Sequence, residues 1–92
     1  MKVRVENMKS PRTGNPVANQ FIIYTEEGDY FQSYTTIIAF RPSGVYKKPQ
    51  LDREAWNYSP TTSKYRSQFL RESTSETRRK ISSGEYELAD LN

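Results

Sequence analysis

Two apolar runs separated by turn residues constrain this chain more than anything else in it. From Ala18 to Thr25 the sequence ANQFIIYT is β-branched and aromatic, with too little polar interruption for a surface helix, so it reads as a central strand. Glu26-Glu27-Gly28-Asp29 fits a hairpin turn in which Gly28 supplies a positive φ. Tyr30–Phe40, YFQSYTTIIAF, then reads as the return strand, long enough to need a bend or bulge near Ser33–Thr36. Arg41-Pro42-Ser43-Gly44 has the residue choice of a type I turn, and Val45–Lys48 follows as a short strand stopped by Pro49. Upstream, Met1–Glu6 alternates Met1/Val3/Val5 with Lys2/Arg4/Glu6, the period of a half-buried strand pairing at one edge of this meander. Pro11, Gly14 and Pro16 make residues 8–16 a flexible loop.

The second half switches to helical signals. Asp52 is placed to cap a single turn through Arg53–Trp56. Ser59-Pro60 supplies an N-cap and a first helical residue, and Thr62, Tyr65 and Phe69, with Leu70 beside them, make one apolar stripe. Lys64, Gln68 and Arg71 fall on the polar side, and the helix should run over about 60–72. Ser73 and Glu76 form a capping-box pattern for a short second helix over about 74–83, ended by Gly84. Glu76 and Lys80 are spaced as a supporting i,i+4 pair, and Ile81 is the one clear apolar anchor. Glu85–Leu91 alternates Tyr86/Leu88 with Glu85/Glu87 and reads as a last edge strand. The fold class is therefore α+β: one domain over 1–92, with an antiparallel sheet of four to five strands packed against a main helix and a short second one.

A chain of 92 residues with 34% hydrophobic content has a small core, whose area must come largely from Tyr, Phe and Trp. It has no Cys and no His, which removes disulfides, thiolate metal sites and most acid–base chemistry at neutral pH. The carboxylates fall in turns, on helix faces and near the C-terminus. Glu26, Glu27 and Asp29 fit a solvated turn better than a calcium site, which needs roughly six to eight oxygen ligands. Ser59 and Thr61 have no base in sight as nucleophiles. An enzyme is not expected, nor a cofactor or metal. No apolar run approaches the ~20 residues of a membrane span, and MKVRVENMK lacks the apolar core of a signal peptide, so a cytoplasmic location is expected.

What remains is binding. Residues 41–80 carry ten basic against four acidic groups, whereas residues 1–40 balance at four each. Trp56, Tyr58, Tyr65 and Phe69 alternate with Arg53, Lys64, Arg66 and Arg71, the mixture that holds single-stranded nucleic acid. Arg78, Arg79 and Lys80 add a patch that suits phosphate or complements the helix dipole. Tyr65 and Phe69 share the apolar stripe and fit the helix–sheet core better, and no zinc-finger, RNP or GXXG signature is present. A one-sided helix layer leaves the other sheet face open, and Tyr with Arg is enriched at the centres of protein interfaces. Tyr30, Tyr34, Arg53 and Tyr58 are thus the candidate protein-binding residues. Lys64, Arg66, Arg71, Arg78, Arg79 and Lys80 are the candidates for nucleic acid.

Three segments carry a resemblance. Phe31–Tyr34 in YFQSYTTIIAF, then Leu51–Asp52, Trp56–Ser59, Thr61–Thr62, Lys64–Tyr65 and Phe69–Leu70, and Asp90–Asn92 at the end look like a family of short uncharacterised proteins. Members of that family occur in bacteriophages, prophages and gut bacterial genomes, and the similarity spans roughly residues 19–92. The resemblance brings no activity or site. It implies a phage-type setting, the host cytoplasm, and action by binding a host protein such as a defence factor. The expected function is therefore a small binding protein that inhibits or modulates a host factor, with nucleic-acid binding as the alternative. An exposed sheet edge leaves homodimerisation open.

Overall fold

A computed structural model describes residues 3–92. Six strands form one sheet in chain order: β1 (Arg4–Lys9), β2 (Pro16–Tyr24), β3 (Gly28–Ser33), β4 (Thr36–Pro42), β5 (Gln50–Asp52) and β6 (Glu87–Ala89). Between β5 and β6 the chain makes α1 (Pro60–Leu70) and α2 (Thr74–Ser83). The α+β class holds, with six strands, and the last pairing, β5 with β6, is parallel while the others are antiparallel.

The β2–β3 hairpin closes over Glu26–Glu27, with Thr25 and Gly28 exchanging backbone hydrogen bonds of 2.9 and 3.3 Å. Gly28 sits at φ +148°, and a Cβ there would run into the Arg41 carbonyl oxygen, so glycine is required for the close approach of β4. Residues 30–40 are not one bent strand. They are the two strands β3 and β4, turned at Tyr34–Thr35 with Ser33 opposite Thr36. Tyr34 takes a left-handed φ of +58°, and its N–H donates to the Asn19 carbonyl at 2.7 Å. A real bulge lies further on. Phe31 opposes Ala39 and Gln32 opposes Ile37, so Ile38 is the extra residue, and Ile38 and Ala39 are both fully buried.

Val45–Lys48 is not a strand either. Residues 43–49 loop out between β4 and β5, and the strand that follows begins only at Gln50. Ser43 is tied back to the β2–β3 turn, its N–H reaching the Glu27 carbonyl at 3.0 Å. At the β1 edge the strand lies further along than Met1–Glu6, running to Lys9 and leaving only residues 10–15 as loop; Met1 and Lys2 lie outside the described residues. Its buried side chain is Met8, whereas Val3 and Val5 are exposed, Val5 because it points to the sheet face away from the helices.

Both helices start as their caps dictate: Ser59 Oγ accepts from Thr62 N at 3.1 Å and Ser73 Oγ from Glu76 N at 3.1 Å. α1 stops when Arg71 turns left-handed at φ +58°, and Gly84 does the same for α2 at φ +83°. The stripe Thr62, Tyr65 and Phe69 is buried on the sheet, with Phe69 stacked on Phe31 at 5.9 Å and Thr62 hydrogen-bonded to Ser33 at 2.9 Å. The core is completed by Leu51, Ala55 and Tyr86, with Ile81 and Leu88 packed against it.

The charges in the helical layer pair differently from their spacing. Glu76 bonds Arg79 and not Lys80. Lys80 reaches Glu72 at 2.8 Å, where Tyr86 Oη and Thr77 Oγ1 also donate, at 2.7 and 2.6 Å. Burial pushes the Glu72 carboxyl up, but these donors outweigh it and hold its pKa below the usual value. Burial and the neighbouring Glu72 together push the Tyr86 hydroxyl up to about 12.

Candidate protein-binding surface

Residues directly opposed across antiparallel strands point to the same side of a sheet. The register aligns Ile22, Phe31, Ala39, Leu51 and Leu88 in one row beneath the helices. The adjacent row points the other way: Val5, Ile23, Tyr30, Phe40, then Gln50 and Glu87. Phe21 and Ile37 flank it from the neighbouring row through Gln32. No helix covers this side among the described residues. Ile23, Tyr30, Ile37 and Phe40 are half-buried, Tyr30 and Phe40 meeting at 4.5 Å between ring centroids. The result is an apolar face that grades into polar residues toward β6.

Tyr30 therefore stands near the centre of the open face. Tyr34 and Tyr58 are each 52% exposed but lie off it. Tyr34 is in the β3–β4 turn, and Tyr58 lines a cleft of about 700 Å³ with Thr35, Thr36, Glu54, Asp90 and Asn92. Arg53 sits at the end of β5, bonded to Asp90 and to the Leu88 carbonyl, both at 3.4 Å. The four predicted residues do not form one cluster. Tyr46 was missed. It is 98% exposed in the loop after β4, where it and Lys47 and Lys48 border a groove with Phe40, Gln50 and Glu87. The turn read at Arg41–Gly44 continues into a loop instead of opening a strand.

The basic residues also disperse. Lys64, Arg71 and Arg78 are exposed, on α1, at its C-cap and on α2. Arg78 lies over the Trp56 ring at 5.3 Å. Arg79 bonds Glu76 at 2.6 Å and approaches Glu85 at 3.5 Å, and Lys80 is held by Glu72. Arg66 is fully buried, which removes it from any phosphate-facing set. Its guanidinium donates to the Trp56 carbonyl and Thr74 Oγ1, both at 2.6 Å, and to Asn57 Oδ1 at 3.1 Å. Burial lowers its pKa, Glu72 acts to raise it, and Arg78 to lower it.

At the far end of the cleft Asp52 gathers four donors. Oδ2 accepts from the N–H groups of Glu54 and Ala55 at 3.2 and 2.9 Å. Oδ1 accepts from Leu91 N–H and Asn92 Nδ2 at 3.0 and 3.1 Å. Asn92 in turn exchanges hydrogen bonds with Ile37, donating to its carbonyl at 2.9 Å and accepting from its N–H at 2.7 Å. The spaced Leu51–Asp52 and Asp90–Asn92 segments thus meet as one latch. Among the described residues no group of three or more Asp or Glu is placed to hold a metal ion. No helix of the described residues is long and apolar enough to cross a membrane.

No curated protein and no solved structure matches the chain. A protein-family model does match, over residues 3–85, taking in β1 to the end of α2 and so both the open face and the helical layer that leaves it open. On that match the chain belongs to the family of unknown function DUF8033.

Proposed function

We propose that this chain is a non-enzymatic binding protein that docks its open sheet face against another protein. The observation that carries the reading is the uncovered row Val5, Ile23, Tyr30 and Phe40, widened by Phe21 and Ile37. Contiguous apolar surface rimmed by polar groups marks interaction sites on small proteins. A Tyr–Phe pair at its centre is the kind of anchor that dominates interface energy. In the phage-type setting that the sequence resemblance implies, the partner is a host protein whose surface the face occludes.

Tyr30→Ala and Phe40→Ala each remove half of the pair, at a cost of about 1 kcal/mol in stability. A tagged chain should recover one partner from host lysate, and either variant, still folded by circular dichroism, should reduce that recovery at least about tenfold. Recovery of background only, or of the same partner by all three proteins, would sink the reading. Nucleic-acid binding by the second half draws on the exposed Lys64, Arg71 and Arg78. It expects gel shifts at low salt that vanish as salt rises and weaken in Arg78→Ala. No shift with single- or double-stranded DNA or RNA would end it.

A further inference from the structure

The sheet has two edges, and they differ. β6 offers three residues, whereas β1 offers six, regular over Arg4–Asn7 before an irregularity at Met8, with no proline and with Val5 exposed at 59%. A long edge strand presents unpaired backbone donors and acceptors, a template for another strand. In β1, Arg4 and Glu6 lie on one side of the strand and Val5 on the other. The Arg4 guanidinium is held 4.3 Å above the Tyr24 ring, on the same side of the sheet.

A two-fold axis normal to the sheet keeps each residue on its own face, so a second β1 can pair antiparallel only in registers that oppose residues of the same face. Centring on Arg4 opposes Arg4 to Arg4, and centring on Glu6 opposes Glu6 to Glu6. Centring on Val5 sets Arg4 against Glu6 of the other copy twice over, with Val5 against Val5 on the open face. Opposite charges directly across a pair stabilise it and like charges destabilise it. We infer that the partner of this edge is a second copy of the chain, paired β1 to β1 about Val5. The pairing makes one twelve-stranded sheet and joins the two Val5–Ile23–Tyr30–Phe40 rows end to end. It does not depend on what the open face binds.

Sedimentation velocity on the full chain across a concentration series tests this. The wild type should dimerise with a dissociation constant of about 1–100 µM, as a small interface allows. Arg4→Glu and Glu6→Arg should each raise that constant at least about tenfold, because each creates like-charge pairs. An equimolar mixture of the two variants should restore a dimer, since every pair is then opposite in sign. Val5→Lys should abolish association with the circular dichroism spectrum unchanged. A wild type that stays monomeric up to about 1 mM overturns the inference. So does a dimer that both charge variants leave intact, or a mixture that associates no better than its components.

Discussion

Arg66→Ala should cost about 3–5 kcal/mol, the range for removing one member of a buried, hydrogen-bonded charged network. Arg66 has the largest fully buried side chain among the described residues, and its guanidinium joins three parts of the helical layer: the Trp56–Asn57 segment, α1 and the first residue of α2. Removing it leaves the Trp56 carbonyl and the Thr74 hydroxyl without a donor and opens a void beside the Trp56 ring. In a 92-residue domain such a loss lowers the melting temperature by roughly 15–30 °C. Arg66→Lys should recover only part of it, because one ammonium cannot reproduce a planar fork that reaches acceptors on two elements. Thermal melts followed by circular dichroism decide the matter. A melting temperature for Arg66→Ala within a few degrees of wild type would show that the network is not holding α2 in place.

Asp52→Asn should be the next most damaging change, at about 3 kcal/mol. The carboxylate has a donor at each of four positions, and an amide would aim its own NH₂ group at two of them. The charge makes the effect pH-dependent. Burial pushes the Asp52 pKa up, but the N–H groups of Leu91 and Ala55, the Asn92 amide and Glu54 N–H outweigh it, so the folded pKa lies below the unfolded one. A group depressed in this way stabilises the fold at pH above its unfolded value, about 3.9, and that stability is lost as pH falls through the folded pKa. Wild-type urea midpoints should therefore drop below about pH 4, and those of Asp52→Asn should drop less steeply. Glu72, lowered in the same direction, keeps some slope in the variant. Parallel pH profiles for the two proteins would contradict this role for Asp52.

These two residues also show where the sequence could be read and where it could not. Caps are local chemistry: Asp52, Ser59 and Ser73 announce the turns they start, and each does so in the structure. Arg66 stands four residues after Thr62 and three before Phe69, within the buried stripe, but a charged side chain is read as solvent-facing until its acceptors are known. Those acceptors come from Trp56, Asn57 and Thr74, and their convergence is a tertiary fact. The break between β3 and β4 had no Gly, Pro or Asn to mark it, because Tyr34 takes the left-handed conformation and Asn19 on the neighbouring strand accepts its N–H. The open face was foreseeable as a consequence of one-sided helix packing. Its composition depends on the bulge at Ile38, without which Phe40 would not oppose Tyr30.

The parallel β5–β6 pair sets an order of opening. β1 to β4 join neighbours through short turns, whereas β6 reaches β5 only after both helices, and Asn92 bonds Ile37 across 55 positions of sequence. Contacts of that span close late and release early, since each carries the entropy of the whole intervening loop. β6 and the Asn92 latch should therefore lift away as a unit while the four-stranded meander persists. For that moment β5 becomes a second free edge, beside a core that has lost Leu88. Amide exchange at Leu88 and Ala89 should accordingly run ahead of exchange at Phe31 and Ala39, and the chain is most open to mispairing at the border its last strand was built to close.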